Sequence, residues 1–198
     1  TGKIDARKFA NAIGSQLAAY PQQVTETAFN LLGSHDTPRL LTRCGGEVGR
    51  MKLATLFKLT YPGTACIYYG DEVGMTGGDD PGCRECMVWD EEKQNKELLQ
   101  FFIDAIRLRK NHAALRSADI RFLQAEPGSR VLVYERRAAD GERFIIAMNA
   151  DKESADVSVP AEGSWADAFD GKTVPLEGSR LKAKLPAFGY AVWRQVSK

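Results

Sequence analysis

Apolar positions change their period once along this chain, near residue 115. Ahead of that point they recur at helical spacing. Phe9, Ile13, Leu17 and Tyr20 lie four, four and three residues apart, which places them on one face of a helix. Pro21 follows and stops it. Residues 28–32 are a short apolar run closed by Gly33, and they predict a buried strand. A second helix is predicted over 47–60, with Met51, Leu53, Leu56 and Phe57 as its apolar surface and Tyr61-Pro62-Gly63 as its stop. β-Branched and aromatic residues at 65–69 predict another strand, ended by Gly70. The Gly- and Asp-rich stretch 71–89 reads as a long loop, of a length that compact domains mostly reserve for function. Asp90 is placed to cap the next helix, with Glu91 and Glu92 in its first turn. Leu98, Leu99, Phe102, Ile103 and Ile106 form its buried stripe, and Arg107, Arg109 and Lys110 gather at its negative end. Strands alternating with helices point to a parallel sheet.

Beyond Leu115 the period falls to two. Residues 130–136 and 143–148 are strand-like and flank Ala138-Ala139-Asp140-Gly141, and Asp-Gly is a strong hairpin signal. Val157 and Val159, then Leu181, Ala183 and Leu185, then Phe188, Tyr190 and Val192 alternate with their neighbours. This predicts a small antiparallel sandwich. Its aromatics Trp165, Phe169, Tyr190 and Trp193 fit a core, and they also fit a surface that stacks on sugars.

Composition narrows the function. Hydrophobic residues make up 43% and charged residues 27% of 198 positions, the mix of a globular protein. The formal net charge is +1 with no basic block, which argues against a nucleic-acid partner. No apolar run approaches the roughly 20 residues a membrane span needs. Four cysteines (Cys44, Cys66, Cys83 and Cys86) are too few for a disulfide scaffold, so a reduced, cytoplasmic setting is expected. Thr1 is not expected to be the natural start, because the chain opens without Met.

Two segments carry candidate chemistry. Phe29-Asn30-Leu31-Leu32-Gly33-Ser34-His35-Asp36-Thr37-Pro38-Arg39 delivers a His-Asp pair at the carboxyl end of an apolar run, where parallel α/β sheets place ligands. Imidazole donor and carboxylate acceptor side by side suit vicinal hydroxyls; alternatively Asp36 caps the following turn and His35 only packs. The second, from Tyr61 through Tyr68-Tyr69-Gly70-Asp71-Glu72-Val73-Gly74, again ends in two acids. Its carboxylates also suit a structural turn, bound to backbone amides or an arginine. Cys83-x-x-Cys86 with Cys44 and Cys66 could supply four thiolates to zinc, but Cys66 lies in mid-run and Cys44 stands alone, so no metal is expected. A redox Cys-x-x-Cys would open a helix after a strand, which this pair does not.

In this order the two segments resemble the last two signature regions of the α-amylase superfamily of retaining glycoside hydrolases. The stretch 75–89 is similar to the neopullulanase, cyclomaltodextrinase and maltogenic amylase branch. The resemblance implies an α/β plus all-β fold: the C-terminal portion of a (β/α)8 TIM barrel over 1–114, from its sixth to its eighth helix, then an antiparallel β-sandwich domain over 115–198. It implies that Asp36 is the carboxylate that stabilises the transition state and that His35 donates to the same sugar. It further implies that Asp80 and Arg84 contact outer glucose units, although an acid and an arginine four residues apart also pair with each other. The substrate would be an α-glucan or cyclodextrin, with no cofactor. The nucleophile and general acid of the family belong to motifs this sequence does not contain, so the chain alone is expected to be inactive. A two-strand piece of barrel exposes strand edges, and self-association or pairing with the missing barrel segment is expected. A non-catalytic carbohydrate-binding or assembly module is the other class open.

Overall fold

The computed structural model describes residues 4–196. Helix α1 (Ala6–Ala19) starts at Asp5, whose carboxylate accepts from the Lys8 amide, and it ends before Pro21 as its spacing predicts. A short helix that the apolar pattern does not reveal, α2 (Gln22–Thr27), follows directly; none of its residues is buried, so it leaves no periodic signature. The two expected strands pair in parallel, β1 (Phe29–Asn30) with β2 (Thr64–Ala65), in the register Phe29↔Thr64 and Asn30↔Ala65. They are shorter than predicted and not buried: Phe29 is 64% and Leu31 47% exposed. A barrel strand is buried by neighbours on both sides and by the opposite wall, and here each has one neighbour.

Between them lie α3 (Leu40–Arg43) and α4 (Val48–Thr60), the latter capped by Glu47. Helix α5 (Lys96–Asn111) is capped by Asn95, which accepts from the Leu98 amide, rather than by Asp90. Asp90 caps a separate 3-10 turn, Glu91–Lys93. The buried face of α5 is Leu98, Phe101, Phe102, Ala105 and Leu108, turned from the predicted stripe, and Ile103 faces outward.

The remainder is antiparallel. Strands β3 (Ile120–Ala125), β4 (Val131–Arg137), β5 (Arg143–Asn149), β7 (Ser164–Asp167), β8 (Thr173–Val174) and β10 (Tyr190–Val196) form one sheet in the order β3-β4-β5-β10-β7-β8. Strands β6 (Ala155–Pro160) and β9 (Arg180–Leu185) pair separately. The β4–β5 hairpin turns at Asp140-Gly141, with Gly141 at φ +92°, a conformation that disfavours any side chain.

Strand β4 departs from simple alternation because it is buried on both faces. Val131, Val133, Ile145, Ala147 and Trp193 pack toward β6 and β9, with Trp165 in the same cluster. Leu132, Tyr134, Phe144, Ile146, Met148 and Val192 pack against α4 and α5 instead. The sheet therefore serves as the floor for the helices, and the Tyr134 hydroxyl meets Thr60 Oγ1 at 2.6 Å across that contact. Trp165 and Trp193 are core residues, and Tyr190 packs between Phe101 and Phe169. No helix among the described residues is long and apolar enough to cross a membrane.

Arg109, placed by its sequence position to complement its own helix end, instead joins three segments. It donates to the carbonyls of Leu59 (2.8 Å), Tyr61 (3.0 Å) and Leu115 (2.7 Å) and to that of Gly63. Its removal strands carbonyls at the end of α4, and leaving buried acceptors unpaired costs about 1–3 kcal/mol each. Arg109→Ala is expected to lower unfolding free energy by about 3 kcal/mol or more, measured by urea denaturation. A loss below about 1 kcal/mol would show that these carbonyls find other donors.

Candidate functional site

The site is built where β1 and β2 end side by side. The Thr64 amide donates to Ala28 O and the Cys66 amide to Asn30 O, each at 2.8 Å, so both chains leave the pair in the same direction. After β1 the chain enters a tight turn that its own side chains hold: Thr37 Oγ1 accepts from the Ser34 amide (3.1 Å) and Ser34 Oγ from the Asp36 amide (3.2 Å). The turn presents His35 and Asp36 outward, with side chains 62% and 66% exposed and His35 Nε2 3.1 Å from Asp36 Oδ1. Helix α3 has no side-chain cap, so Asp36 is not spent on helix capping.

The loop after β2 folds back onto this tip. Arg84 Nε lies 2.7 Å from Asp80 Oδ1 and donates to the His35 carbonyl at 3.0 Å, while Nη2 reaches Asp36 Oδ1 at 3.4 Å. All four residues singled out from the sequence thus converge, and the Asp80–Arg84 pair also forms. Exposed ion pairs of this kind are worth roughly 0–1 kcal/mol each, so hydroxyl groups of a ligand can replace them at small cost. Asp36 Oδ1 already accepts from Arg84 and has His35 Nε2 beside it, and the arrangement as a whole offers carboxylate acceptors, a guanidinium and an imidazole on one accessible face.

The layer beneath was not legible beforehand. Arg39 is 1% exposed, and its guanidinium lies over the rings of Tyr68 (4.3 Å) and Tyr69 (4.4 Å) and donates to Tyr69 O. The Tyr69 hydroxyl in turn donates to Glu85 O at 2.7 Å, tying the loop down. Gly77 is pinned from both sides, its carbonyl accepting from the Arg39 amide and its amide donating to Thr42 Oγ1. A Cβ at Gly77 would sit 2.3 Å from Gly82 O, so only glycine fits. Arginine is rarely buried, and nothing but its place in the His-Asp-Thr-Pro-Arg run could have marked Arg39.

Asp71 lies within this layer, 1% exposed. Burial pushes its carboxyl up to about 6, against the opposing pull of Lys58 and Arg39. Lys58, itself held below its ordinary value by burial, donates to Cys66 O at 2.6 Å. Among the described residues no group of three or more His, Cys, Asp or Glu side chains could hold a metal ion.

Two parallel strands with an exposed His-Asp tip, feeding helices that rest on a sandwich, are the C-terminal portion of a (β/α)8 barrel and its trailing β-sandwich domain. The chain belongs to the α-amylase family: residues 2–118 match the alpha amylase catalytic domain, and residues 120–192 match the maltogenic amylase C-terminal domain. It is 48% identical to a cyclomaltodextrinase of Geobacillus thermopakistaniensis over 96% of this chain and 33% of that protein. It is 38% identical to neopullulanase 2 of Thermoactinomyces vulgaris over 98% of this chain and 34% of that one. A solved cyclomaltodextrinase structure superposes with a TM-score of 0.91 at 44% identity, covering 96% of this chain and 33% of that chain. The chain spans about a third of the length of these relatives.

Asp71 gives the site layer a pH signature. Its folded value of about 6 lies above the ordinary 3.8, so the folded molecule holds this proton more tightly than the unfolded chain. The resulting stabilisation is full below pH 3.8 and lost as pH rises through about 6. Asp71→Asn removes the titration. From pH 4 to 7 the stability difference is expected to move in favour of the variant by about 2 kcal/mol. Parallel stability curves for the two proteins, from thermal unfolding across that range, would contradict it.

Proposed function

We propose that this chain carries the sugar-binding half of the cleavage site of a retaining glycoside hydrolase that acts on α-linked glucans or cyclodextrins. The observation that supports it is the joint presentation of His35 and Asp36 at the tip of a parallel strand, with Arg84 and Asp80 folded onto them. Asp36 accepts hydroxyls of the sugar undergoing cleavage and stabilises the oxocarbenium-like transition state, where such contacts strengthen as charge develops. His35 donates to the same sugar. Asp80 and Arg84 meet outer glucose units. No cofactor takes part.

Retaining hydrolysis needs a nucleophile and a general acid about 5–5.5 Å apart across the scissile bond. The family's motifs for both lie outside this sequence, and we read the complete reaction as a double displacement to which this chain contributes binding and charge stabilisation. In this reading residues 1–114 are barrel and 115–198 the sandwich domain, and the protein is cytoplasmic. Tyr20, Val24, Phe29 and Leu31 are exposed, and the open edges of β1 and β2 are completed by the remaining barrel segment or by self-association.

Calorimetry with maltotriose is expected to show saturable binding and no cleavage products. Asp36→Ala should weaken binding by about 10-fold or more, the worth of a charge-assisted hydrogen bond. Turnover of cyclodextrin by the purified chain, above a His35→Ala/Asp36→Ala double variant, would refute the division of labour. A monodisperse monomer in light scattering would refute the masked-edge expectation.

A further inference from the structure

Cys83 and Cys86 have no part in sugar binding, yet one of them is built into the site. Cys83 is 0% exposed, and its Sγ donates to the main-chain carbonyl of His35 at 3.0 Å. That oxygen is the one Arg84 Nε also takes. The thiol hydrogen is therefore one of two donors that the turn Gly82–Arg84 sends to that carbonyl. Glu85 then leaves the turn extended, at φ −55° and ψ 151°. The two cysteines are separated by Arg84 and Glu85 alone, so a disulfide requires a local adjustment of that segment that brings their Cα atoms within about 7 Å. Cys86 is exposed, and neither cysteine is bonded to another.

We propose that Cys83 and Cys86 form a reversible disulfide whose closure releases the His35 carbonyl and disarms the sugar site; the second half of this statement rests on the reading of His35 and Asp36 as sugar contacts. The co-reactant is a low-molecular-weight disulfide. The exposed Cys86 reacts first: its thiolate attacks one sulfur of the co-reactant, the old S–S bond breaks and one small thiolate leaves. Cys83 then yields its proton to solvent and attacks the Cys86 sulfur, expelling the second small thiol. Two protein thiols are oxidised and one small disulfide is reduced to two thiols. In closing, Cys83 Sγ turns from His35 O toward Cys86, and Arg84, its neighbour in the chain, is drawn off Asp36. Cys44 is a bystander, buried and with its thiol pushed up by that burial.

The test uses the full chain and oxidised glutathione. The sequence holds two histidines, His35 and His112, and His112 is held by Glu142 and Phe144 on the sandwich. Their imidazole proton resonances report on the site without any sugar. Expected are a peptide spanning 83–86 that has lost two hydrogens in mass, a shift of the His35 resonances with His112 unmoved, and reversal of both by dithiothreitol. Cys86→Ser should show neither change. Maltotriose affinity should fall by about 10-fold or more on oxidation and return on reduction. A glutathione adduct that persists on Cys86 while Cys83 stays a thiol would overturn the proposal, as would a closed disulfide with His35 unmoved. If the reduced chain binds no maltotriose, the sugar-site reading fails, while mass and resonance changes still decide the disulfide.

Discussion

Parallel pairing of two very short strands is the constraint on which the site depends. The hydrogen bonds from the Thr64 and Cys66 amides to Ala28 and Asn30 make both chains run in one direction and end at one edge. An antiparallel pair would send the His35-Asp36 turn and the Asp71–Trp89 loop to opposite ends. With the ends together, Arg84 reaches Asp36 and His35 across nearly fifty residues of chain. The strands are too short to hold this alone. Arg39 beneath them, its guanidinium over the rings of both Tyr68 and Tyr69, turns two separate strand tips into one surface.

The sandwich supports that surface from behind. Its central sheet is buried on both faces, one against β6 and β9 and the other against α4 and α5, so the helices behind β1 and β2 rest on a rigid floor. Arg109 fastens the junction by gathering carbonyls from the end of α4, the residue before β2 and the 3-10 turn Ala113–Leu115 that precedes the sandwich strands. Buried charges on both faces of β4 have partners, although two nitrogens of Arg136 are left without one. Arg136 donates to Ala114 O and Ser117, and Glu135 pairs with Arg137 and Arg143.

Much of this was legible in the sequence. Helical spacing located α1, α4 and α5, period two located the sandwich strands, and Asp140-Gly141 marked the hairpin, because each signal is local. The parallel β1–β2 pair follows from the alternation of strands and helices, whereas Asp80 and Arg84 come from the family resemblance, which does not by itself bring them against His35 and Asp36. Missing were features set by partners distant in the chain. Asn95 rather than Asp90 caps α5, since a 3-10 turn intervenes. Phe29 and Leu31 are exposed because a strand's burial depends on neighbours it does not itself encode. Arg39 and Arg109 look like surface arginines until the carbonyls and rings that surround them are in place, and the bond from Cys83 to His35 joins residues 48 apart.

The central claim is that the tip formed by His35 and Asp36 receives glucose units of an α-linked chain. Proton NMR of the two histidines during a maltotriose titration reads this directly. A saturable movement of the His35 resonances, with those of His112 stationary, is the predicted result. Resonances that stay fixed up to saturating sugar, or that move equally for both histidines, would contradict it.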